Sequence, residues 1–368
     1  AFLTLRASRY LRDDLLFAAT AYARNLKQSL LSSNINDDFS TLLPSGPGNS
    51  QGFNDRSSIE QRMSGMAFQL TADGRLAGVP NRFTAGVSLD FASTSFSQDR
   101  QEATFSADRD TVGIGIFAPR VRLGADMSNR GAYFINQLAI DPQWMLTLSG
   151  RYAVAKISLR DQSGVQPALD GDHTFSRFNP AAGLNWNPTP AATVFAAYSE
   201  GMRVPSPVEL TCADPAAPCS LPNQFLADPA LKPVIARTIE LGTRLRPTDR
   251  TRFSASVYRT VLDNDILFVS SAAAVNAGYF QNAGRTRRQG LDLTGRVEAG
   301  DITLRASYSH LQATYLSGFA LSSPNNSSAD GAGLIQVGRG NRLPGVPADS
   351  VKLLADWRAT PDLTTSLG

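Results

Sequence analysis

The sequence predicts an all-β fold, a transmembrane antiparallel β-barrel wall built from about 14 strands. Three observations predict it. Apolar and polar residues alternate with a period of two along most of the 368 residues. The joints between these alternating segments are short and long in strict succession. The chain contains no run of about 18 apolar residues, so a transmembrane helix is not expected.

The alternation is clearest in the stretch RRQGLDLTGRVEAGDITLRASYSH, residues 287–310. Leu291 and Leu293 lie on one face of a strand, while Asp292 and Arg296 lie on the other. The pattern restarts after EAGD, which predicts two strands around a tight turn, each with one apolar and one charged face. A soluble β-sandwich with the apolar face in its core fits this pattern, and so does a membrane barrel with that face toward lipid.

The joints between the strands separate these two interpretations. Short turns are predicted near 11–14, 71–81, 140–143, 187–191, 246–250, 298–301 and 359–362. Long polar loops are predicted near 31–56, 97–120, 161–174, 200–235, 262–285 and 315–345. Short periplasmic turns and long extracellular loops are typical of transmembrane barrels, whereas a compact soluble domain rarely holds structureless loops of more than about 15 residues.

Aromatic residues and cysteines add two further expectations. Aromatics near strand ends predict girdles at the two membrane interfaces, with ordinary core aromatics as the alternative. They are Tyr10, Tyr22, Trp144, Tyr152, Trp186, Tyr198, Tyr308 and Trp357. The only two cysteines, Cys212 and Cys219, flank a short Pro-containing segment. This spacing predicts a local disulfide and an extracytoplasmic location, with two unrelated free thiols as the alternative.

Four stretches in the second half resemble the barrel of TonB-dependent outer-membrane receptors. The first, residues 177–210, contains Asn179-Pro180, Trp186-Asn187-Pro188, Tyr198-Ser199-Glu200-Gly201 and Arg203-Val204-Pro205. The other three follow in the family's order at 228–244, 279–293 and 338–353. The resemblance covers residues 170–360 well. The first 170 residues match the family only in their general sequence pattern.

The resemblance implies location in the outer membrane of a Gram-negative bacterium, among lipid and lipopolysaccharide. It implies a barrel of about 22 strands around an N-terminal plug domain that the periplasmic protein TonB pulls. It further implies that a scarce nutrient, most often a ferric siderophore, is bound in extracellular loops and imported. No plug or coupling segment is recognised in residues 1–368, so we interpret this chain as a partial barrel.

The extracellular loops supply the candidate ligand-binding residues. Arginine forks suit carboxylate or catecholate oxygens, and aromatic rings suit flat chelates. The candidates are Arg203, Tyr279, Phe280, Gln281, Arg285, Tyr315, Arg339 and Arg342. Loop packing or contact with lipopolysaccharide is the alternative role for each of them.

Other functional classes have weaker support in the sequence. The net charge of +3 is too small to predict a nucleic-acid partner. His173 lies near Ser176, but no third group completes a hydrolytic site, so an enzyme is not expected. No metal-ligand cluster or cofactor motif is apparent, so neither metal nor cofactor is expected. A passive porin or adhesin barrel without a plug stays open, as does a soluble lectin-like β module.

Overall fold

The computed structural model describes residues 1–36, 38–213, 219–220, 231–270, 277–323 and 326–368. Its strands, in chain order, are β1 (Phe2–Arg12), β2 (Leu15–Ile35), β3 (Gly52–Leu76), β4 (Val79–Phe105), β5 (Thr111–Ala139), β6 (Trp144–Asp161), β7 (Gly171–Thr189), β8 (Ala192–Arg203), β9 (Cys219–Ser220), β10 (Val234–Thr248), β11 (Thr251–Asp263), β12 (Ile266–Ser270), β13 (Ala277–Asn282), β14 (Thr286–Ala299), β15 (Ile302–Tyr315), β16 (Phe319–Ser322), β17 (Leu334–Val337), β18 (Asp349–Thr360) and β19 (Leu363–Leu367).

Fourteen of these strands form one antiparallel sheet, which confirms the predicted strand number. Their order in the sheet is their order in the chain, from β1 at one edge to β19 at the other. The remaining strands form two small sheets, β12-β13-β9 and β16-β17, within the connections. A short helix, α1 (Pro207–Leu210), and a 3-10 turn (Pro167–Leu169) also occur there. In the described part of the chain, no helix has the length and apolar character needed to cross a membrane.

All predicted short turns are confirmed, and they lie together where the strands end on one side of the sheet. They occupy residues 13–14, 77–78, 140–143, 190–191, 249–250, 300–301 and 361–362. At the second of them, Ala77 and Gly78 have φ values of 50° and 85°. Positive φ at both central residues gives the turn the twist that a two-residue hairpin requires. We call this row of strand ends the short-turn edge, and the opposite row of strand ends the long-loop edge.

Two of the predicted long loops are wrong in extent. The strands β4 and β5 continue through most of 97–120, so that only 106–110 connects them. Likewise, β2 and β3 occupy both ends of 31–56. The apolar alternation fades in these regions, but the backbone ladder continues because polar cross-strand pairs support it. Asp55 and Arg100 form a bidentate pair with N–O distances of 2.7 and 2.9 Å, with the Asp55 side chain only 1% exposed.

The register of the sheet confirms two chemically different faces. Val257 lies directly opposite Leu241 and Leu291, and nothing in the described chain covers this apolar face, since Val257 is 50% exposed. Ser256 lies opposite Gly242 and Asp292 on the other face. A soluble sandwich would bury the apolar face in its core, whereas a membrane wall presents it to lipid. We call the apolar face the outward face and the other the inward face.

The outer loops fold back onto the inward face near the long-loop edge. Buried strand residues there, including Phe96, Leu123, Ile157 and Leu159, form one apolar cluster with loop residues. The loop residues of this cluster are Leu169, Leu210, Cys212, Ala213, Leu231 and Ile266. Burial of these side chains, rather than a core between two sheets, stabilises the arrangement of the loops.

The aromatic residues divide between the two faces. Trp144 and Trp186 lie opposite each other near the short-turn edge, with ring centroids 5.6 Å apart on the outward face. Tyr152 lies further along β6 on the same face and is 50% exposed, in the position of a second girdle. The girdle prediction is wrong for Tyr22, because its hydroxyl faces inward and donates to Asp90 at 2.9 Å. Tyr10 is on that inward face too.

The two faces predict different responses to an introduced charge in the full-length protein. The Val257→Arg substitution should cost about 2–4 kcal/mol of unfolding free energy, because its guanidinium would replace an apolar side chain near the bilayer midplane. The neighbouring Ser256→Arg substitution should cost much less, because its side chain faces the polar lumen. Urea unfolding of the protein in phospholipid vesicles measures both costs. Equal costs would contradict the assignment of the faces.

Candidate ligand-binding mouth

Three connections at the long-loop edge build the mouth of the wall. They run from β8 to β10, from β11 to β14 and from β15 to β18. The small sheet β12-β13-β9 joins the first two connections, since Gly278 pairs with Cys219. The amide of Phe280 also donates to the carbonyl oxygen of Cys212 at 2.6 Å. The first two connections are therefore one linked unit rather than independent loops.

The short helix α1 positions the predicted residue Arg203. Ser206 caps the helix by accepting from the Glu209 amide at 3.2 Å, and the Glu209 carboxylate accepts from the Ser206 amide at 2.8 Å. This reciprocal capping box satisfies donors that a helix start leaves unpaired. The same carboxylate accepts from Arg203 Nη1 at 2.8 and 3.0 Å. Arg203 keeps half of its side chain exposed.

Strand β13 carries three of the predicted residues and turns them to different faces. Phe280 packs edge-on against Phe268, with ring centroids 5.1 Å apart, and contacts the apolar cluster. Its neighbours Tyr279 and Gln281 point the opposite way, because side chains alternate along a strand. Both are partly exposed. Phe280 therefore anchors the strand, while Tyr279 and Gln281 are the side chains on its other face.

A chain of alternating charges crosses the outer ends of neighbouring strands and ends at the predicted residue Arg285. Arg177 binds Glu200, whose carboxylate lies 3.6 Å from Arg237 Nε. Arg237 also binds Asp263, and Asp263 accepts from Arg285 Nε at 2.8 Å. Three guanidinium groups and two carboxylates leave this chain with one excess positive charge. Of these five residues, the sequence analysis predicted only Arg285. Charged residues near the outer ends of predicted strands are the sequence signal that could have identified the other four.

A second cluster gathers Arg285, Tyr315 and Arg342. The Tyr315 ring is 6% exposed and packs edge-on against Phe319 at 5.2 Å. Arg342 pairs through its backbone with Thr314, and the Leu316 amide donates to the Arg285 carbonyl at 2.8 Å. The buried Tyr315 ring supports this loop, whereas the side chains of Arg285, Arg339 and Arg342 are exposed.

A buried polar group that the sequence prediction missed anchors the connection after β11. Asp265, which is 5% exposed, accepts from Thr286 Oγ1 at 2.6 Å and from Arg288 Nη2 at 3.2 Å. A buried carboxylate needs such partners to offset its lost hydration. The three residues therefore hold the base of the connection where it rejoins β14.

The two residues considered for a hydrolytic site, His173 and Ser176, lie on opposite faces of the wall. His173 faces inward opposite Ile157, whereas Ser176 faces outward opposite Val154. His310 Nδ1 lies 2.8 Å from an Asp349 carboxylate oxygen, on a distant strand. Among the described residues, no group of three or more His, Cys, Asp or Glu side chains is arranged to hold a metal ion.

A family model described as TonB dependent receptor-like, beta-barrel, matches residues 2–367. Two curated relatives are similar to part of the chain. The probable TonB-dependent siderophore receptor PiuA of Acinetobacter baumannii is 23% identical over 252 residues, which are 66% of this chain and 31% of the relative. The probable TonB-dependent receptor BfrD of Bordetella pertussis is 26% identical over 241 residues, which are 64% and 29% of the two chains.

Solved structures share the fold across almost the whole chain. The siderophore receptor PiuA from Acinetobacter baumannii has a TM-score of 0.70 at 17% identity, over 99% of this chain and 53% of that one. The ferric-catecholate import receptor Fiu from K12 E. coli has a TM-score of 0.69 at 16% identity, over 99% and 52%. The chain thus spans about half the length of these structures, and its matched residues cover under a third of the curated relatives.

Leu210 tests the packing of α1 against the wall, because its side chain is fully buried. The Leu210→Ala substitution should destabilise the segment 204–213 locally by about 2–5 kcal/mol, through lost burial and the cavity left behind. Hydrogen exchange of the backbone amides in this segment measures the change. The control is Val208→Ala on the same helix, where the side chain is 44% exposed. Similar exchange in both variants would contradict the packing described.

The disulfide between Cys212 and Cys219 stays a prediction. Cys212 is buried and is not a free thiol, while the side chain of Cys219 lies outside the described residues. Peptide mapping of the native protein without reductant should recover the two cysteines in one cross-linked species. Separately alkylated Cys212 and Cys219 peptides would refute the bond.

Proposed function

The chain belongs to the TonB dependent receptor-like β-barrel family, and from that premise we propose that the protein imports a ferric siderophore across the outer membrane. The match over residues 2–367 carries this proposal, because it includes both the wall and the mouth. The outer membrane of Gram-negative bacteria is where this family resides, and the apolar outward face suits it. The names of PiuA and Fiu, a siderophore receptor and a ferric-catecholate receptor, support the choice of cargo.

The chemistry of the mouth supports an oxygen-rich, anionic ligand. Arg203, Arg285, Arg339 and Arg342 are exposed, and the first two are each held by one carboxylate. A guanidinium group has five donors in a planar fork, so donors remain for carboxylate or catecholate oxygens of a chelate. Tyr279 and Gln281 add a ring and an amide on a neighbouring strand. Phe280 and Tyr315 hold the surrounding loops.

The proposed mechanism consists of binding and gating, with no bond made or broken. The chelate binds at the mouth, where the linked connections after β8 and β11 pack against inward residues near the long-loop edge. TonB acts through the plug domain that the family resemblance implies. Residues 1–368 supply the wall, the mouth and the surface along which the cargo passes.

The outward face defines the lipid partners in this proposal. Lipid chains contact the apolar band between the level of Trp144 and the level of Tyr152. Beyond that band the long strands carry charged pairs such as Arg56 and Asp99, at 3.0 Å. In this proposal, these polar strand ends contact the sugars and phosphates of lipopolysaccharide.

Substitutions in the mouth of the full-length protein test the proposal. The Arg285→Gln and Arg342→Gln changes should each weaken binding of a ferric chelate about 10-fold, by removing a charge-assisted hydrogen bond. Radiolabelled iron bound to de-energised cells measures affinity across ferric catecholates, ferric citrate and ferric hydroxamates. Arg12→Gln, an exposed arginine at the short-turn edge, is the control.

Absence of binding to every chelate by the unaltered protein would contradict the proposed function. In that case, conductance in planar bilayers distinguishes the porin alternative, since a plugged receptor is nearly silent and a porin gives large steady steps. Equal loss of affinity in Arg12→Gln would contradict the assignment of the mouth.

A further inference from the structure

The inward face carries three arginines directly opposite one another near the short-turn edge. Arg252 on β11 faces Arg296 on β14, and Arg296 faces Arg305 on β15. We call these three residues the arginine row. Like charges that lie directly opposite on neighbouring strands destabilise a sheet. Stabilisation of the wall therefore does not explain the arginine row.

Carboxylates of the wall neutralise the arginine row only in part. Glu298 binds Arg296 at 2.7 Å, and Asp356 binds Arg305 at 2.7 Å. Both carboxylates lie on the side of the row nearer the short turns. In the portion of the chain that the structure describes, Arg252 makes no side-chain hydrogen bond or ion pair, and its side chain is exposed. Ser254, Thr294 and Ser307, the described inward residues that adjoin the row on the side of the mouth, carry no charge, and Asp292 is the next carboxylate along β14.

The arginine row lines a cavity of about 720 Å³. Arg244, Arg246 and Lys352 also line it, so six basic side chains and no carboxylate surround this space. Arg244 lies over the ring of Phe195, with its guanidinium carbon 4.4 Å from the ring centroid. The volume is that of a small-molecule site, about 300–1,000 Å³. A concave surface of one sign concentrates counter-ions strongly.

We propose that this cavity binds a compact polyanion rich in carboxylate or catecholate oxygens. The inference rests on the proposed function and names its substrate class: the ferric chelate crosses the lumen as an anion and is held at the arginine row below the mouth. Asp263 ends β11, and its partner Arg285 directly precedes β14, so mouth and row lie along one part of the wall. Guanidinium forks bind paired anionic oxygens through two parallel hydrogen bonds.

The test compares two triple variants of the full-length protein in cells. One is Arg252→Gln, Arg296→Gln and Arg305→Gln; the other changes the same residues to Lys and keeps their charge. Radiolabelled ferric citrate and a ferric tris-catecholate are the probes. Binding to de-energised cells reports the mouth, and import into energised cells reports passage. The Gln variant should bind with unchanged affinity but import about 10-fold more slowly, while the Lys variant should import within about 3-fold of the unaltered rate.

Two outcomes in cells would overturn the inference. Unchanged import by the Gln variant would show that the row does not act on the cargo. Equal loss of import in the Gln and Lys variants, accompanied by vancomycin entry without ligand, would show that the row instead docks a protein segment that closes the lumen.

Failure of the proposed function is distinguishable from failure of this inference. If the unaltered protein binds no ferric chelate, the proposed function fails, and the cavity is then tested alone. Equilibrium dialysis of citrate against the purified full-length protein in detergent measures anion binding directly. Binding that the Gln variant loses supports the cavity as an anion site. Equal binding by both proteins overturns it.

Discussion

The structure depends on one constraint: a backbone amide within hydrocarbon must find its hydrogen-bond partner on a neighbouring strand, because no water is available. The continuous antiparallel ladder from β1 to β19 meets this constraint wherever two neighbouring strands pair through their backbones. Because side chains alternate along every strand, the ladder places one set of residues toward lipid and the other toward the lumen. The apolar and polar alternation is the direct consequence in the sequence.

Position along the strand then decides what each inward residue does. Near the long-loop edge, Phe96, Leu123 and Ile157 are apolar because the outer loops fold over them. Near the short-turn edge, the same face carries Arg252 and Arg296, which remain accessible from the lumen. One face thus combines a packed closure at the mouth with a charged surface below it. The proposed path of an anionic cargo connects these two regions.

Most of the wall was predictable from the sequence, because period-two alternation and turn residues are local signals. The extents of the long strands were not, since pairs such as Asp55 and Arg100 join residues far apart in the chain and leave no apolar pattern. The site was predicted as exposed loop arginines and aromatics. Its internal contacts were not predictable, because Glu209 holding Arg203 and Asp263 holding Arg285 depend on how connections fold together.

In this account, the two faces of each strand meet two different solvents. Spin labels placed singly at consecutive positions from 290 to 298, in the full-length protein in bilayers, test it most directly. Accessibility to oxygen, which partitions into lipid, should peak at 291, 293, 295 and 297, and accessibility to a water-soluble nickel chelate should peak at 290, 292, 294, 296 and 298. Both accessibilities peaking at the same positions, or showing no period of two, would contradict the account.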